Sequence, residues 1–183
     1  MPPHRTRPVQ WAILALSAGI VVAIDQLAKG WVLANVPFGT SRFPIPALSD
    51  FLAITASQNR GAAFSILPQA ADLFLIIAIV MLGAIPFFYR RLPPGHWPER
   101  IAMGTLLGGV AGNAIDRIRL GYVVDFVHIQ IRPLISNVSN LADHAIVLSI
   151  LVLLVAEALQ RRSPAPESPS PEQPDNVPSS PPS

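Results

Sequence analysis

The feature that most restricts this chain is the length of its apolar runs. A backbone segment immersed in hydrocarbon has no water to bond, so it must pair its own N–H and C=O groups within a helix or a closed barrel. A helix needs roughly 20 largely apolar residues to cross the hydrocarbon core. Four segments answer to that description, from about Trp11 to Leu33, Ala70 to Tyr89, Ile101 to Ile115 and Leu141 to Leu159. With 51% hydrophobic and only 13% charged residues, the composition suits a membrane bundle. The expected fold is a membrane all-α bundle of four transmembrane helices, occupying residues 1–162 as one domain.

Within that plan the third run is short and carries Gly104, Gly108 and Gly112. Glycines four apart share one helix face, so this face is expected to admit a neighbouring backbone closely. Arg5 and Arg7 precede the first run as they would in a secretory leader. That run is too long, however, and ends in Asp25, Gln26 and Lys29 with no small-residue cleavage site, so a retained helix is expected. The connection from Asn35 to Gln69 holds Pro37, Pro44 and Pro46, then a strand-like stretch from Phe51 to Thr55. The connection from Tyr122 to Ile131 alternates as a strand does. One helix pair separates these two connections, which places both on one side of the membrane and the loop from Arg90 to Arg100 on the other. After Arg162, residues 163–183 are rich in Pro and Ser. Such a segment cannot bury a core and is expected to be disordered.

Charge and residue usage exclude several functions. A formal charge of +2 gives no reason to expect a nucleic-acid partner. The chain has no cysteine, so disulfides, thiolate nucleophiles and Cys-ligated metals are excluded. His4, His96, His128 and His144 show no helical ligand spacing, so neither a metal nor another cofactor is expected. Basic residues beside membrane helices favour the cytoplasm. One side holds Arg5, Arg7, Arg90, Arg91, Arg100, Arg161 and Arg162, and the other holds Lys29, Arg42, Arg60, Arg117, Arg119 and Arg132. Lys29, Arg60 and Arg117 fall within polar clusters, and setting them aside favours both termini in the cytoplasm.

Those polar clusters gather at one end of the bundle. Asp25 and Lys29 close the first helix, Asn59 and Arg60 lead toward the second, Asn113, Asp116 and Arg117 end the third, and Asn140 and Asp143 open the fourth. Ionisable groups at membrane depth are costly unless paired or facing water, so their convergence marks a functional site. Each group also has a plain structural reading. Asp25 and Lys29 have the spacing of a helix-end ion pair, and Asn140 with Asp143 suits the capped, positive end of a helix. Single caps do not account for convergence from four segments. Asp125 stands apart, because a carboxylate inside the apolar run from Tyr122 to Val127 adds nothing to packing. Two carboxylates held close share a proton, one activating water and the other polarising a carbonyl, which is aspartic peptidase chemistry. Spacing alone does not choose the pair among Asp25, Asp116, Asp125 and Asp143.

Five stretches in order resemble the lipoprotein signal peptidases, the type II signal peptidases of bacteria. They are Ile24 to Lys29 (IDQLAK), Asn59 to Ser65 (NRGAAFS), Gly108 to Arg117 (GGVAGNAIDR), Gly121 to Phe126 (GYVVDF) and Asn140 to Asp143 (NLAD). The resemblance implies a four-helix enzyme of the bacterial inner membrane, with a small extracytoplasmic β-cradle and its active site at the outer face. Its implied substrate is a prolipoprotein carrying diacylglycerol on a cysteine, presented from membrane lipid and cleaved just before that cysteine. The implied catalytic residues are Asp125 and Asp143. The implied supporting residues are Asp25, Lys29, Asn59, Arg60, Gly61, Asn113, Asp116, Arg117 and Asn140. The chain departs from the family pattern at Ser139, where an aromatic residue is common, and at His144, where a small polar residue is usual.

Two other functional classes compete with this reading. A transporter or ion pathway would also carry intramembrane polar residues, but the chain lacks an internal repeat and a broken midplane helix. A non-catalytic assembly partner using the glycine face would tolerate loss of Asp125 and Asp143 together. A Ser-Lys peptidase would have to use Lys29, the sole lysine, with no serine obviously placed to meet it.

Overall fold

The computed structural model describes residues 8–61, 70–131 and 135–162. The leading arginines, Ala62 to Ser65, Arg132 and the 163–183 tail lie outside the described residues. Four helices carry the fold: α1 (Pro8–Asn35), α2 (Ala70–Tyr89), α3 (Trp97–Leu120) and α4 (Leu141–Arg162). Three spans within α1, α2 and α4 are long and apolar enough to cross a membrane, namely Pro8–Asn35, Asp72–Tyr89 and Leu141–Arg161.

α3 is built differently. It extends beyond the expected 101–115 at both ends, through Glu99 and Arg100 at its start and Arg117 and Arg119 at its finish. It packs against α1, α2 and α4 together. A helix enclosed by three others meets little lipid and need not be apolar all round, so hydropathy marks its length poorly. Its glycines set the contact distances. A Cβ on Gly108 would lie 2.6 Å from the Ala18 carbonyl oxygen, and one on Gly104 would collide with Ser17, so both face α1 as the spacing predicts. Gly109 turns the other way, where a Cβ would lie 2.7 Å from the Ala142 carbonyl oxygen of α4. Leu14, Ala78, Ile85, Tyr89, Met103, Leu106 and Val110 form the apolar core between α1, α2 and α3. The outer surfaces of α1, α2 and α4 expose Leu16, Ile20, Leu27, Ile76, Val80, Leu148 and Leu154. Large apolar groups outside and charged groups inside are the inverse of a water-soluble helix bundle, as a membrane protein requires.

The two connections meet in one antiparallel sheet of four strands in the order β1-β2-β3-β4. β1 (Ser41–Arg42) and β2 (Leu52–Asn59) come from the first connection, and β3 (Val123–Ile131) and β4 (Ile135–Ser139) from the second. The strand-like stretches read from sequence correspond to β2 and β3. β1 and β4 were not anticipated. A hydroxyl–imidazole ladder ties all four together: Ser41 to Thr55 at 2.7 Å, Thr55 to His128 at 2.9 Å and His128 to Ser136 at 3.0 Å. On the helix side Val32 of α1 and Val36 just past its end pack with Ala56 and Phe126, which seats the sheet on the end of the bundle.

Candidate active site

The site forms where the sheet meets the ends of α1 and α3 and the start of α4. α3 stops at Gly121, whose φ of 76° is the left-handed conformation that ends a helix, with its N–H bonded to the Arg117 carbonyl. The chain then enters β3 directly, carrying Asp125 back over the bundle. Pairing of β2 with β3 sets Ser57 opposite Asp125 and Asn59 opposite Val123, after an irregularity between Ile54 and Ser57. Asn59 is therefore the diagonal cross-strand neighbour of Asp125 and donates to its Oδ2 at 2.9 Å. Asn59 is itself held by a tight turn, since its Oδ1 accepts from the Gly61 N–H at 2.8 Å. Gly61 adopts φ 87°, a conformation that side-chain-bearing residues rarely take, which explains the Asn-Arg-Gly order.

Asn140 is the hinge between the two candidate carboxylates. Its Nδ2 donates to Asp125 Oδ1 at 2.7 Å, and its Oδ1 accepts from the Asp143 N–H at 2.9 Å. The Asn140 N–H returns to Asp143 Oδ2 at 3.3 Å. Asn140 and Asp143 thus form the reciprocal capping box of α4. The structural reading of these two residues holds together with the functional one, because the cap aims Asp143. The other Asp143 oxygen accepts from Asn113 Nδ2 at 2.7 Å.

Behind this pair lies a buried charge cluster. Lys29 Nζ sits 2.8 Å from Asp25 Oδ2, 2.8 Å from Asp116 Oδ2 and 3.1 Å from Asn113 Oδ1. Asp25 and Lys29 are 0% and 2% exposed, so the cation and both acids depend on one another. The same two carboxylates organise the backbone. Asp25 Oδ1 accepts from the Ala142 N–H in the first turn of α4 at 3.0 Å, and Asp116 Oδ2 accepts from the Val124 N–H of β3 at 3.1 Å. Asp25 therefore fixes the helix that bears Asp143, and Asp116 fixes the strand that bears Asp125. Gly112 makes room for this, since a Cβ there would lie 2.7 Å from Asp25 Oδ2.

Among the expected site residues, Asp25, Lys29, Asn59, Gly61, Asn113, Asp116, Asp125, Asn140 and Asp143 join one hydrogen-bonded network. Arg117 is half-buried at its edge, bonded to the Asn113 carbonyl at 3.3 Å and within electrostatic reach of Asp143, Asp116 and Asp125. Arg60 is not drawn in. It stands exposed, with a hydrogen bond at 3.5 Å to Gln58. One participant was missed by sequence reasoning: Gln26 Nε2 donates to Asp116 Oδ1 at 2.9 Å. Its position between Asp25 and Lys29 was the available signal.

A cavity of about 450 Å³ opens beside the pair, lined by Asn59, Asn137, Val138, Ser139, Asp143, His144, Val147, Leu148 and Leu151. Its apolar wall continues along α4 into a groove of about 310 Å³, which shares Leu148 and Leu151 and extends to Leu159. Asp125 is only 3% exposed. Burial raises its pKa to about 6, aided by the charge of Asp143 and opposed by the Asn140 and Asn59 hydrogen bonds and by Lys29. A carboxyl that keeps its proton up to about pH 6, linked through one asparagine to a second acid beside an amphipathic cavity, can deliver a proton while its partner takes one.

The family model described as signal peptidase (SPase) II matches residues 17–159. The chain belongs to the signal peptidase II family. Its match spans every element that contributes to the network, from α1 to α4. A lipoprotein signal peptidase from Moorella thermoacetica (strain ATCC 39073 / JCM 9320) is 40% identical over 142 residues, covering 75% of this chain and 87% of that relative. Two solved structures described as a bacterial membrane enzyme, determined by the in meso method, share the fold. The first, at 2.3 Å resolution, has a TM-score of 0.72 at 31% identity, covering 81% of this chain and 89% of its own. The second, at 1.9 Å resolution, has a TM-score of 0.73 at 29% identity, covering 89% and 99%. The signal peptidase II assignment makes the chain a peptidase of the aspartic type.

Proposed function

We propose that this chain removes the signal peptide from diacylglyceryl-modified prolipoproteins by cleaving before the lipidated cysteine, with Asp125 and Asp143 as the catalytic dyad. The observation that carries the reading is Asn140, whose side chain binds Asp125 through one atom and Asp143 through the other. In the resting site Asp125 holds the shared proton, because its burial favours the neutral carboxyl, and Asp143 serves as the base. Asp143 takes a proton from water as the water oxygen bonds to the scissile carbonyl carbon. Asp125 gives its proton to the carbonyl oxygen. The resulting tetrahedral adduct collapses as the C–N bond breaks, Asp143 giving its proton to the departing nitrogen and Asp125 taking one back from a hydroxyl of the adduct. The dyad then returns to its starting charge. This sequence uses no metal and forms no covalent intermediate with the enzyme.

Lys29, Asp25, Asp116, Asn113 and Asn59 hold the dyad, and Arg117 and Gly61 face the substrate backbone in this reading. Arg60 is assigned to substrate binding at the rim, where its exposed guanidinium is free to reach an incoming chain. The amphipathic cavity suits a substrate that is peptide at one end and lipid at the other.

In this reading α3 is the fourth membrane span. The Tyr89 hydroxyl donates to the Gln10 carbonyl, so α2 ends where α1 begins, and Gln160 donates to Glu99 at 2.8 Å, so α4 ends where α3 begins. A chain that leaves α2 at one end and enters α4 at the other must traverse the bundle through α3. The arginine distribution then favours both termini in the cytoplasm and the sheet at the outer face of a bacterial inner membrane.

The test is cleavage of a diacylglyceryl-modified prolipoprotein peptide by the detergent-purified protein. Asp125→Asn and Asp143→Asn are each expected to reduce kcat by about 10²- to 10⁴-fold, the usual scale for general acid–base groups, while the protein remains folded by thermal melting. Full activity in either variant would reassign the dyad.

A further inference from the structure

The cavity beside the dyad has a polar wall that the reaction does not use. Of its lining, Asp143 and Asn59 belong to the carboxylate network, and Val138, Val147, Leu148 and Leu151 are apolar. Asn137, Ser139 and His144 are neither, and of these Ser139 and His144 adjoin the network in sequence. Ser139 ends β4 and His144 lies in the first turn of α4, and the two meet with Ser139 Oγ 3.2 Å from His144 Nε2. Ser139 Oγ also lies 3.5 Å from the Val127 carbonyl oxygen. Each flanks the machinery directly, Ser139 preceding Asn140 and His144 following Asp143, so a group seated against them lies next to the reacting bond.

We propose that Ser139 and His144 determine substrate specificity, selecting peptides with a hydroxyl or carboxamide side chain at the residue seated against them. The proposal rests on the peptidase reading above. The hydroxyl offers one donor and two acceptor sites, and the imidazole has a second ring nitrogen, so their mutual bond leaves hydrogen-bonding capacity over. His144 is exposed at the cavity. A bound substrate displaces the water that meets this capacity. An apolar substrate side chain leaves it unmet, whereas a hydroxyl or amide replaces the lost bonds. Neither residue transfers a proton in the reaction, so the effect falls on the choice between substrates.

The experiment uses the full chain and pairs of diacylglyceryl peptides that carry Thr or its near-isostere Val at each residue in turn upstream of the cleavage point. The readout is the Thr-to-Val ratio of kcat/KM within each protein, from which any general loss of activity or folded fraction cancels. The wild type is expected to favour Thr at one position by roughly 3- to 10-fold, the scale of one net hydrogen bond. The ratio should fall to near unity in Ser139→Ala combined with His144→Phe, fall partway in each single variant, and be partly kept in His144→Gln. A wild-type ratio near unity at every position, or a preference retained in the double variant, would overturn the proposal while leaving the dyad standing. Failure of the wild type to cleave any of the peptides would instead overturn the peptidase reading and this inference with it.

Discussion

The two ends of the bundle each bury a cation, and they satisfy it in opposite ways. At the site end Lys29 lies between two carboxylates and an asparagine, and those acids in turn hold the backbone of α4 and β3. At the far end Arg100 is 1% exposed and has no salt-bridge partner among the described residues. One of its terminal nitrogens donates to the Leu92 and Pro93 carbonyls at 2.7 and 3.1 Å, and its guanidinium lies 5.0 Å from the Tyr89 ring centre. Its Nε and Nη1 lack a partner among the described residues. Glu99, next in sequence, turns instead to His96 and Gln160. Carbonyls and a ring suffice to fasten a loop to a helix, whereas full ionic pairing appears where carboxylates have to be aimed.

The contrast is open to five measurements. Lys29→Met should have the largest effect, because it strands Asp25 and Asp116 as unpaired buried acids, at a cost of about 3–5 kcal/mol. Cleavage should fall with it as α4 and β3 lose their anchors. Arg100→Met removes only carbonyl and ring contacts and should cost about 1–3 kcal/mol with kcat retained. Equal losses of thermal stability in the two variants would abolish the distinction. Gly112→Ala pushes a methyl group toward an Asp25 carboxylate that is already fixed, and should cost about 1–3 kcal/mol and impair cleavage. Gly83→Ala in α2, with nothing within 4 Å of its added Cβ, should instead gain up to about 1 kcal/mol. The smallest effect concerns pH. Asp125 carries its proton up to about pH 6, and the proposed mechanism needs that proton, so kcat/KM should fall as pH rises through this region. Lys29 lowers the Asp125 pKa. Residual activity in Lys29→Met should therefore lose its proton at higher pH, while Arg100→Met should leave the limb where it is.

Much of this arrangement was legible in the sequence because a membrane punishes stray polarity. Asp25, Lys29, Asn113 and Asp143 could be picked out from apolar surroundings, and Asp125 from an apolar strand. The ends of α3 were not legible, since Glu99, Arg100, Arg117 and Arg119 belong to a helix shielded by its neighbours and hydropathy reads only the lipid. β1 is two residues long and exists through its pairing with Thr55 and Ile54, a relation no local pattern contains. Arg60 was expected inside the network by association with Asn59. Arg60 lies just past the end of β2, in the tight turn that Asn59 closes onto Gly61, and stands exposed there. The meeting of Ser139 with His144 depends on how β4 turns into α4, so the two departures from the family pattern gave no sign that they touch.

The bond from Asp25 to the Ala142 N–H closes a sequence separation of 117 residues. During synthesis the first helix is threaded into the bilayer long before the last leaves the ribosome. Until that final helix arrives, Asp25 has no amide to steady and Asp125 has no opposing acid. With the proposed dyad, a nascent copy is therefore catalytically silent by construction, and it cannot cleave passing leader peptides before its own insertion is complete.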